Sequence, residues 1–207
     1  RQLLQRFAAD ERIAVAGSKI MYPDRVTLQH AGGVLRPPLF LADHRGYGQR
    51  DTGQFREVAD VDYVTGAAMM VRRDVFDELG GFDEGFFPAY FEEADFCTRA
   101  RAAGYRVVYE PFAVAYHRES ASTVRDSEQY YRWYHRNRLR YVLKHLSTEA
   151  LLNDFRPAER RRLAEIESES ELRALTEAYE ASDQSIQAGD VVPRGAHPGA
   201  VADARRV

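Results

Sequence analysis

The stretch YFEEADFCTRARAAGYRVVYEP, residues 90–111, carries the reading of the fold. From Glu92 to Ala103 the composition predicts a helix, and Gly104 supplies its left-handed stop. Glu92, Glu93 and Asp95 fall in the first turn, with Arg99 and Arg101 near the last; both placements complement the helix dipole. Beyond the stop, YRVVYEP and AVAYH read as two short strands on either side of Pro111. Three acids within four positions repel one another, and a helix start absorbs only part of that cost. One account leaves them as dipole-favoured acids facing water. The other gives them work. They follow GFFPAYF, an aromatic segment that would hold them near a wall, and a carboxylate partly buried beside another has a raised pKa, which suits a general base acting on a hydroxyl. His117 ends a strand two short elements later and leads into RESAS, a loop with small hydroxyls, so the ingredients of a site gather at neighbouring element ends.

The bulk properties bound the function. At 207 residues the chain is long enough to bury a real core, and 44% hydrophobic with 29% charged residues is ordinary for a soluble globular protein. A net charge of −3 argues against nucleic acid as a partner. Cys97 is the only cysteine, which excludes an intrachain disulfide and fits a reducing compartment. No apolar run approaches the roughly 20 residues that span a bilayer. The chain opens with Arg1, without a signal-peptide pattern, and reads as a piece of something longer.

Outward from the acidic stretch, the N-terminus reads as a helix end (Leu3, Leu4, Phe7), then a short strand from Ile13 to Ala16 closed by Gly17. Residues 23–60 are rich in turn formers, with one strand around Val34. VDYVTGAAMMVRR reads as a buried strand interrupted by Gly66. RDVFDELGG reads as a short helix capped by Asp74 and stopped at Gly80 and Gly81. Asp126 to Leu146 reads as a long aromatic and basic helix, and 157–182 as one further charged helix with Pro157 in its first turn. Gly, Pro and Ala dominate beyond Ser182, which predicts a disordered tail.

The order VDYVTGAAMMVRRDVFDELGGFDEGFFPAYFEEADFCTRARAAGYRVVYEPFAVAYHRESAS resembles the acceptor half of family-2 glycosyltransferases, the rhamnosyltransferase-like and cell-surface-polysaccharide enzymes. The likeness extends over about residues 10 to 145 through IAVAGSKIMYPD, QHAGG and NRLRYVLKH. It implies an α/β class, the C-terminal part of a GT-A, Rossmann-like domain. On that pattern 1–146 form the acceptor-side half, 147–182 a helical extension and 183–207 the tail. The second acid of the family's Glu-Asp pair is the general base, which places that role on Glu93, one methylene longer here, with Glu92 and Asp95 orienting base and acceptor. Gly66 and Ala67 would line the floor of the acceptor pocket, with Phe87 as a further acceptor contact. His117 would complete a site for a divalent metal (Mg or Mn) that stabilises the departing nucleoside diphosphate. The implied partners are a nucleotide-sugar donor and a saccharide or lipid-linked acceptor, met in the cytoplasm or peripherally at the inner face of the plasma membrane, in inverting transfer for cell-envelope polysaccharide synthesis. Asp60 and Asp62 flank Val61 but read as structural, so the family's Asp-x-Asp motif and donor side are expected upstream, and no activity is expected from this chain alone.

Other features have plainer readings. His30 reads as a turn residue, and His44, His135, His145 and His197 are assigned nothing. Cys97 reads as a packed helix residue, with Ala100 at i+3; Phe86 and Phe87 either stack on a sugar or fill the core. From Arg125 to Leu146 five arginines and one lysine face only Asp126 and Glu128. This is an amphipathic helix with a solvated basic face, or else a surface for an anionic membrane or a lipid-linked pyrophosphate. A non-catalytic interaction domain on the same fold, docking through this basic helix, is the alternative function.

Overall fold

The computed structural model describes residues 1–118 and 126–190. The hydroxyl-bearing part of RESAS, Arg125 and the tail beyond 190 lie outside them. The chain divides into two compact units. The first holds Arg1–Leu35, Ala42–Gly85 and the described residues from 92 to 118; the second holds Arg36–Leu41, Phe86–Phe91 and the described residues from 126 on.

The first unit is built on a mixed sheet around β1 (Ile13–Met21), all nine residues of which are buried. One edge of β1 pairs in parallel with β7 (Arg106–Tyr116). The other edge takes β6 (Met69–Val71) beside Val15–Gly17 and β2 (Leu28–His30) beside Ile20 and Met21, both antiparallel. β5 (Ala59–Asp60) pairs antiparallel with the outer edge of β7. A separate two-stranded sheet joins β3 (Gly33–Arg36) to β4 (Leu41–His44). Residues 23–60, expected to hold one strand, therefore hold four short ones. Gly32 turns the chain at φ +94°, and Gly33 admits the Tyr63 ring, whose Cε1 lies 2.2 Å from where a Cβ would stand.

Gly17 does not end β1 as its type suggested. It continues the strand because Val64 crosses close above it: an added Cβ would meet the Val64 Cβ at 2.3 Å. Pro111 likewise does not divide two strands. Ser18 pairs with Glu110 and Lys19 with Val114, so the residues between bulge out and β7 rejoins β1 as one strand. The bulge is pinned by Glu110, fully buried, which pairs with Arg6 and accepts the Phe112 N–H at 2.8 Å.

Helices complete the unit. Leu3 and Phe7 of α1 (Gln2–Ala9) pack on Ile13, Ala16 and Val108. α2 (Arg73–Glu78) begins one residue before Asp74, which sits in the first turn and takes the Val75 N–H on Oδ1 at 3.0 Å; it is not the cap. Gly80 and Gly81, at φ +75° and +71°, stop the helix as expected. α3 (Glu92–Ala102) packs on β7, and Gly104 at φ +91° makes the turn between them. The expected run of strand at 61–73 is shorter: Thr65 caps a single 3-10 turn, Gly66–Ala68, ahead of β6. Asp60 and Asp62 pair with Arg106 at 2.7 Å and Arg101 at 3.2 Å.

In the second unit, α4 (Glu128–His145) is capped by Ser127 and packs along α7 (Glu169–Ala188). Between them lie α5 (Thr148–Ala150), a π turn at Leu151–Phe155, and α6 (Arg156–Glu165). The single helix expected over 157–182 is thus two. Ile166 leaves helical geometry at ψ 117°, and Ser168 caps α7 by accepting the Glu171 N–H. α7 also outruns Ser182, ending at Ala188 with Gly189 left-handed. The unit's interior is charged as well as apolar. Arg138 and Glu159 form a buried ion pair, to which Arg138 Nη1 contributes a 3.1 Å bond, and Tyr179 donates to Glu159 at 3.1 Å.

Candidate functional site

The acidic stretch resolves into two roles. Asp95 has no exposed surface, and its carboxylate takes Arg99 Nε at 2.8 Å. Arg99 in turn donates to the Leu79 and Gly81 carbonyls, both at 2.6 Å, and so ties α3 to the turn after α2. Asp95, expected beside the acceptor, therefore faces inward as an anchor.

Glu92 and Glu93 behave otherwise. Each residue is half-buried, and Oε2 of each is sealed from solvent with no hydrogen-bond partner. Burial raises both carboxyl pKa values, and the charge of Glu92 adds to the rise at Glu93, which is pushed up to about 8. The Gly66 backbone N–H lies within hydrogen-bonding reach of the Glu93 carboxylate and offsets part of that rise. Beneath them Cys97 is buried, its sulfur facing the Val64 N–H, and burial pushes its thiol up to about 12; it is an inert, packed residue.

Gly66 and Ala67 are exposed, and a Cβ built on Gly66 would meet nothing within 4 Å. The 3-10 turn thus offers an open rim directly beside the Glu93 carboxylate. Here the fold joins three of the expected residues, Glu92, Glu93 and Gly66, with Ala67 next in the chain. A carboxyl whose pKa is raised by burial and by a like-charged neighbour can take a proton from a bound hydroxyl once it ionises.

His117 stands apart. Its backbone N–H donates to the Met21 carbonyl at 2.9 Å, at the far end of β1 from Gly17, the level at which Val64 and the 3-10 turn lie. Four residues of strand separate the two levels, about 13 Å at roughly 3.3 Å per residue. The imidazole is half-buried and its Nδ1 lies 2.8 Å from Gln29 Oε1. Among the described residues no three His, Cys, Asp or Glu side chains are grouped so as to hold a metal ion. The described residues alone thus do not make a metal site, and no step below runs through a metal.

In the second unit Phe86 is buried under Arg140 and Lys144, whose cationic groups stand 5.4 and 5.6 Å from its ring centroid. Phe87 is 78% exposed. The two phenylalanines therefore divide between core and surface. The basic residues of α4, read as a solvated or docking face, are largely turned to the unit itself. Arg132 pairs with Glu128 and Glu177, Arg136 binds the Phe87 carbonyl, and Arg138 is fully buried. No helix among the described residues is long and apolar enough to cross a membrane.

Three features were not foreseen. His30 is no turn residue: it lies fully buried in β2 with Nδ1 2.8 Å from His44 Nδ1, and burial and the neighbouring His44 keep it neutral. His135, assigned nothing, is buried against Glu171 at 3.1 Å. Gln29 was not singled out, although it is the residue that holds the His117 ring. Its only sequence signal is its place in QHAGG.

Residues 40–158, more than half of the chain, match the family model described as glycosyl transferase family group 2. The chain is 36% identical over 77 residues to the N-acetylglucosaminyl-diphospho-decaprenol L-rhamnosyltransferase of Mycobacterium tuberculosis, a match that covers 37% of this chain and 25% of that protein. It is 33% identical over 84 residues to rhamnosyltransferase WbbL of Escherichia coli, covering 41% of this chain and 31% of that one. It is also 35% identical over 118 residues to an uncharacterised protein of Sinorhizobium fredii, covering 53% of this chain and 12% of that one. The matched stretches thus span less than a third of each of these relatives.

Proposed function

Because the chain belongs to glycosyl transferase family group 2, with the mixed sheet and flanking helices of a GT-A-like domain, we propose that it forms the acceptor side of an inverting transfer. In this reading Glu93 is the general base. The acceptor sugar lies over the Gly66–Ala67 turn, and the Glu93 carboxylate removes the proton of its hydroxyl as the oxygen attacks the anomeric carbon of a nucleotide-sugar. Burial holds the base's pKa up, and the charge of Glu92 adds to the rise. A divalent metal, where bound, would offset charge on the departing nucleoside diphosphate, with His117 as the ligand this chain brings; its main ligands would come from outside the described residues.

The observation that carries the reading is the sealed, unpartnered Oε2 of Glu93 beside an open backbone rim. A buried acceptor atom without a partner costs free energy, and a shift of the Glu93 side chain toward the rim would let a bound hydroxyl satisfy it. The relatives' names suggest L-rhamnose as the first donor sugar to try, and a saccharide carried on a lipid diphosphate as the first acceptor. Such an acceptor would be met at the cytoplasmic face of the membrane, in synthesis of a cell-surface glycan. The test is transfer from a nucleotide-activated L-rhamnose to an N-acetylglucosaminyl diphosphate lipid by this chain together with the donor side expected upstream, with and without Glu93→Gln. A loss of about 10²- to 10⁴-fold in kcat, with acceptor binding kept, supports the base role. A variant as active as the wild type removes it.

A further inference from the structure

The two edges of β7 differ. Its inner edge lies along β1, whereas β5 covers the outer edge only at Val108 and Tyr109. Beyond the bulge, from Phe112 to Tyr116, no strand among the described residues meets that outer edge. His117 N–H bonds the Met21 carbonyl, so Ala115 and His117 direct their backbone groups to β1, and Val114 and Tyr116, alternating with them, direct theirs outward. The side chains of Phe112, Val114 and Tyr116 share one face and are 63%, 48% and 55% exposed. Sheet edges are ordinarily guarded by a charge, a proline or a bulge. Here Pro111 and the bulge guard only the N-terminal end, and FAVAY, residues 112–116, carries neither charge nor proline.

We propose that this edge is the contact of a weak, reversible dimer, in which Phe112–Tyr116 of two copies pair antiparallel about a two-fold axis through Val114. The strip is self-complementary in that register. Val114 exchanges both backbone bonds with Val114 of the second copy, and Tyr116 N–H donates to the second copy's Phe112 carbonyl; the Phe112 N–H is already held by Glu110 at 2.8 Å. On the exposed face Phe112 then meets Tyr116 and Val114 meets Val114, cross-strand pairs of the kind that stabilise sheets. The charges agree with the axis. Arg25 stands 5.2 Å from the Tyr116 ring centroid and so faces an aromatic pair, while its counterpart lies about 14 Å away along the strands, past the screening length at physiological salt. Area sets the strength. Fully burying an aromatic side chain removes roughly 150–250 Å², so covering what these three residues expose removes roughly 300 Å² from each copy. With the paired backbones the total stays under the roughly 1,200 Å² below which contacts are weak and transient. The inference is independent of the role proposed for Glu93.

Sedimentation velocity of the whole chain from about 10 μM to about 1 mM, the range in which so small an interface populates a dimer, tests it directly. The average mass should climb with concentration from that of one chain toward that of two. Val114→Lys, which sets a charge against its own copy on the axis, should stay monomeric at the top of the range. Cross-linking reads the register. In Val114→Cys the two substituted positions face each other at about 5.5 Å between Cα atoms, within disulfide reach. Under oxidised glutathione this variant should form a covalent dimer about 10-fold faster than Leu172→Cys, a comparably exposed position on α7. The buried Cys97 does not compete. A wild type that remains monomeric throughout overturns the proposal and leaves the edge to a strand from another protein. A dimer that Val114→Lys leaves intact overturns it too, as does cross-linking of Val114→Cys no faster than that of Leu172→Cys. The wild-type masses and the cross-link decide the matter even where the lysine variant fails to fold.

Discussion

Asp95 and Arg99, one helical turn apart on α3, form a 2.8 Å ion pair in which the carboxylate has no exposed surface and the guanidinium bridges to the Leu79 and Gly81 carbonyls. Removing one member of a buried pair leaves an uncompensated charge, at a cost of about 3–5 kcal/mol. Asp95→Ala is therefore expected to lower the urea midpoint sharply, with acceptor affinity falling only as the folded fraction falls. A variant of wild-type stability with a selective loss of acceptor binding would return Asp95 to the acceptor pocket.

Glu93 makes stability and activity move in opposite directions with pH. Its carboxyl, ordinarily near 4.5, is pushed up to about 8 by burial and by Glu92. Between those values the folded chain holds more protons than the unfolded one, so this group's contribution to stability falls as pH rises across that window. A base must first ionise, so transfer should rise through the same pH range and level off above about 8. Glu93→Gln should flatten this contribution to the stability profile, as read from urea midpoints at about pH 5 and about pH 9. A slope equally steep in the variant would show that Glu93 is not the titrating group.

Gly17 and Gly66 offer a paired test. A Cβ at Gly17 meets Val64 at 2.3 Å, while one at Gly66 meets nothing within 4 Å. Gly17→Ala should cost about 1–3 kcal/mol through overpacking of the central strand. Gly66→Ala should melt like the wild type but raise the acceptor KM, because the new methyl enters the space in front of Glu93. If thermal melts rank the two the other way, the rim assigned to Gly66 is not open.

The contrast between the two glycines also shows how far residue types could be read before the fold was in hand. Helix α3, its acidic start and its Gly104 stop were legible because each signal is local: composition, dipole and a left-handed turn lie within one short window. Gly17 and Pro111 misled for the opposite reason. Their usual meaning, a break, gave way to tertiary partners, Val64 in one case and the ladder of β1 in the other. The division of the acids was likewise hidden, since nothing in EEAD says that Asp95 points to Arg99 and inward while Glu92 and Glu93 keep a sealed oxygen each. Gln29 was the hardest. Its partner His117 is 88 residues away, and only the shared neighbour β1 brings them together.

A last prediction concerns the segment just before the acids. Tyr90 and Phe91 both adopt left-handed backbone, φ +76° and +71°, a conformation that costs a residue with a Cβ roughly 1–2 kcal/mol. Within the second unit that cost is offset by Asn137, buried on α4, whose Nδ2 donates to the Phe86, Ala89 and Tyr90 carbonyls at 2.6, 2.7 and 2.9 Å. Three carbonyls share two hydrogens, so no shorter or apolar side chain can replace the amide. Asn137→Ala should destabilise the protein by about 1–3 kcal/mol, the cost of leaving buried acceptors unpaired. It should also release residues 86–91 locally before α4 itself opens. Amide hydrogen exchange measures this directly: protection should fall at 86–91 in the variant and persist across the middle of α4. Unchanged exchange at 86–91 would mean that the left-handed pair is held by the packing of Phe91 against Tyr134 and Tyr141, with Asn137 merely alongside.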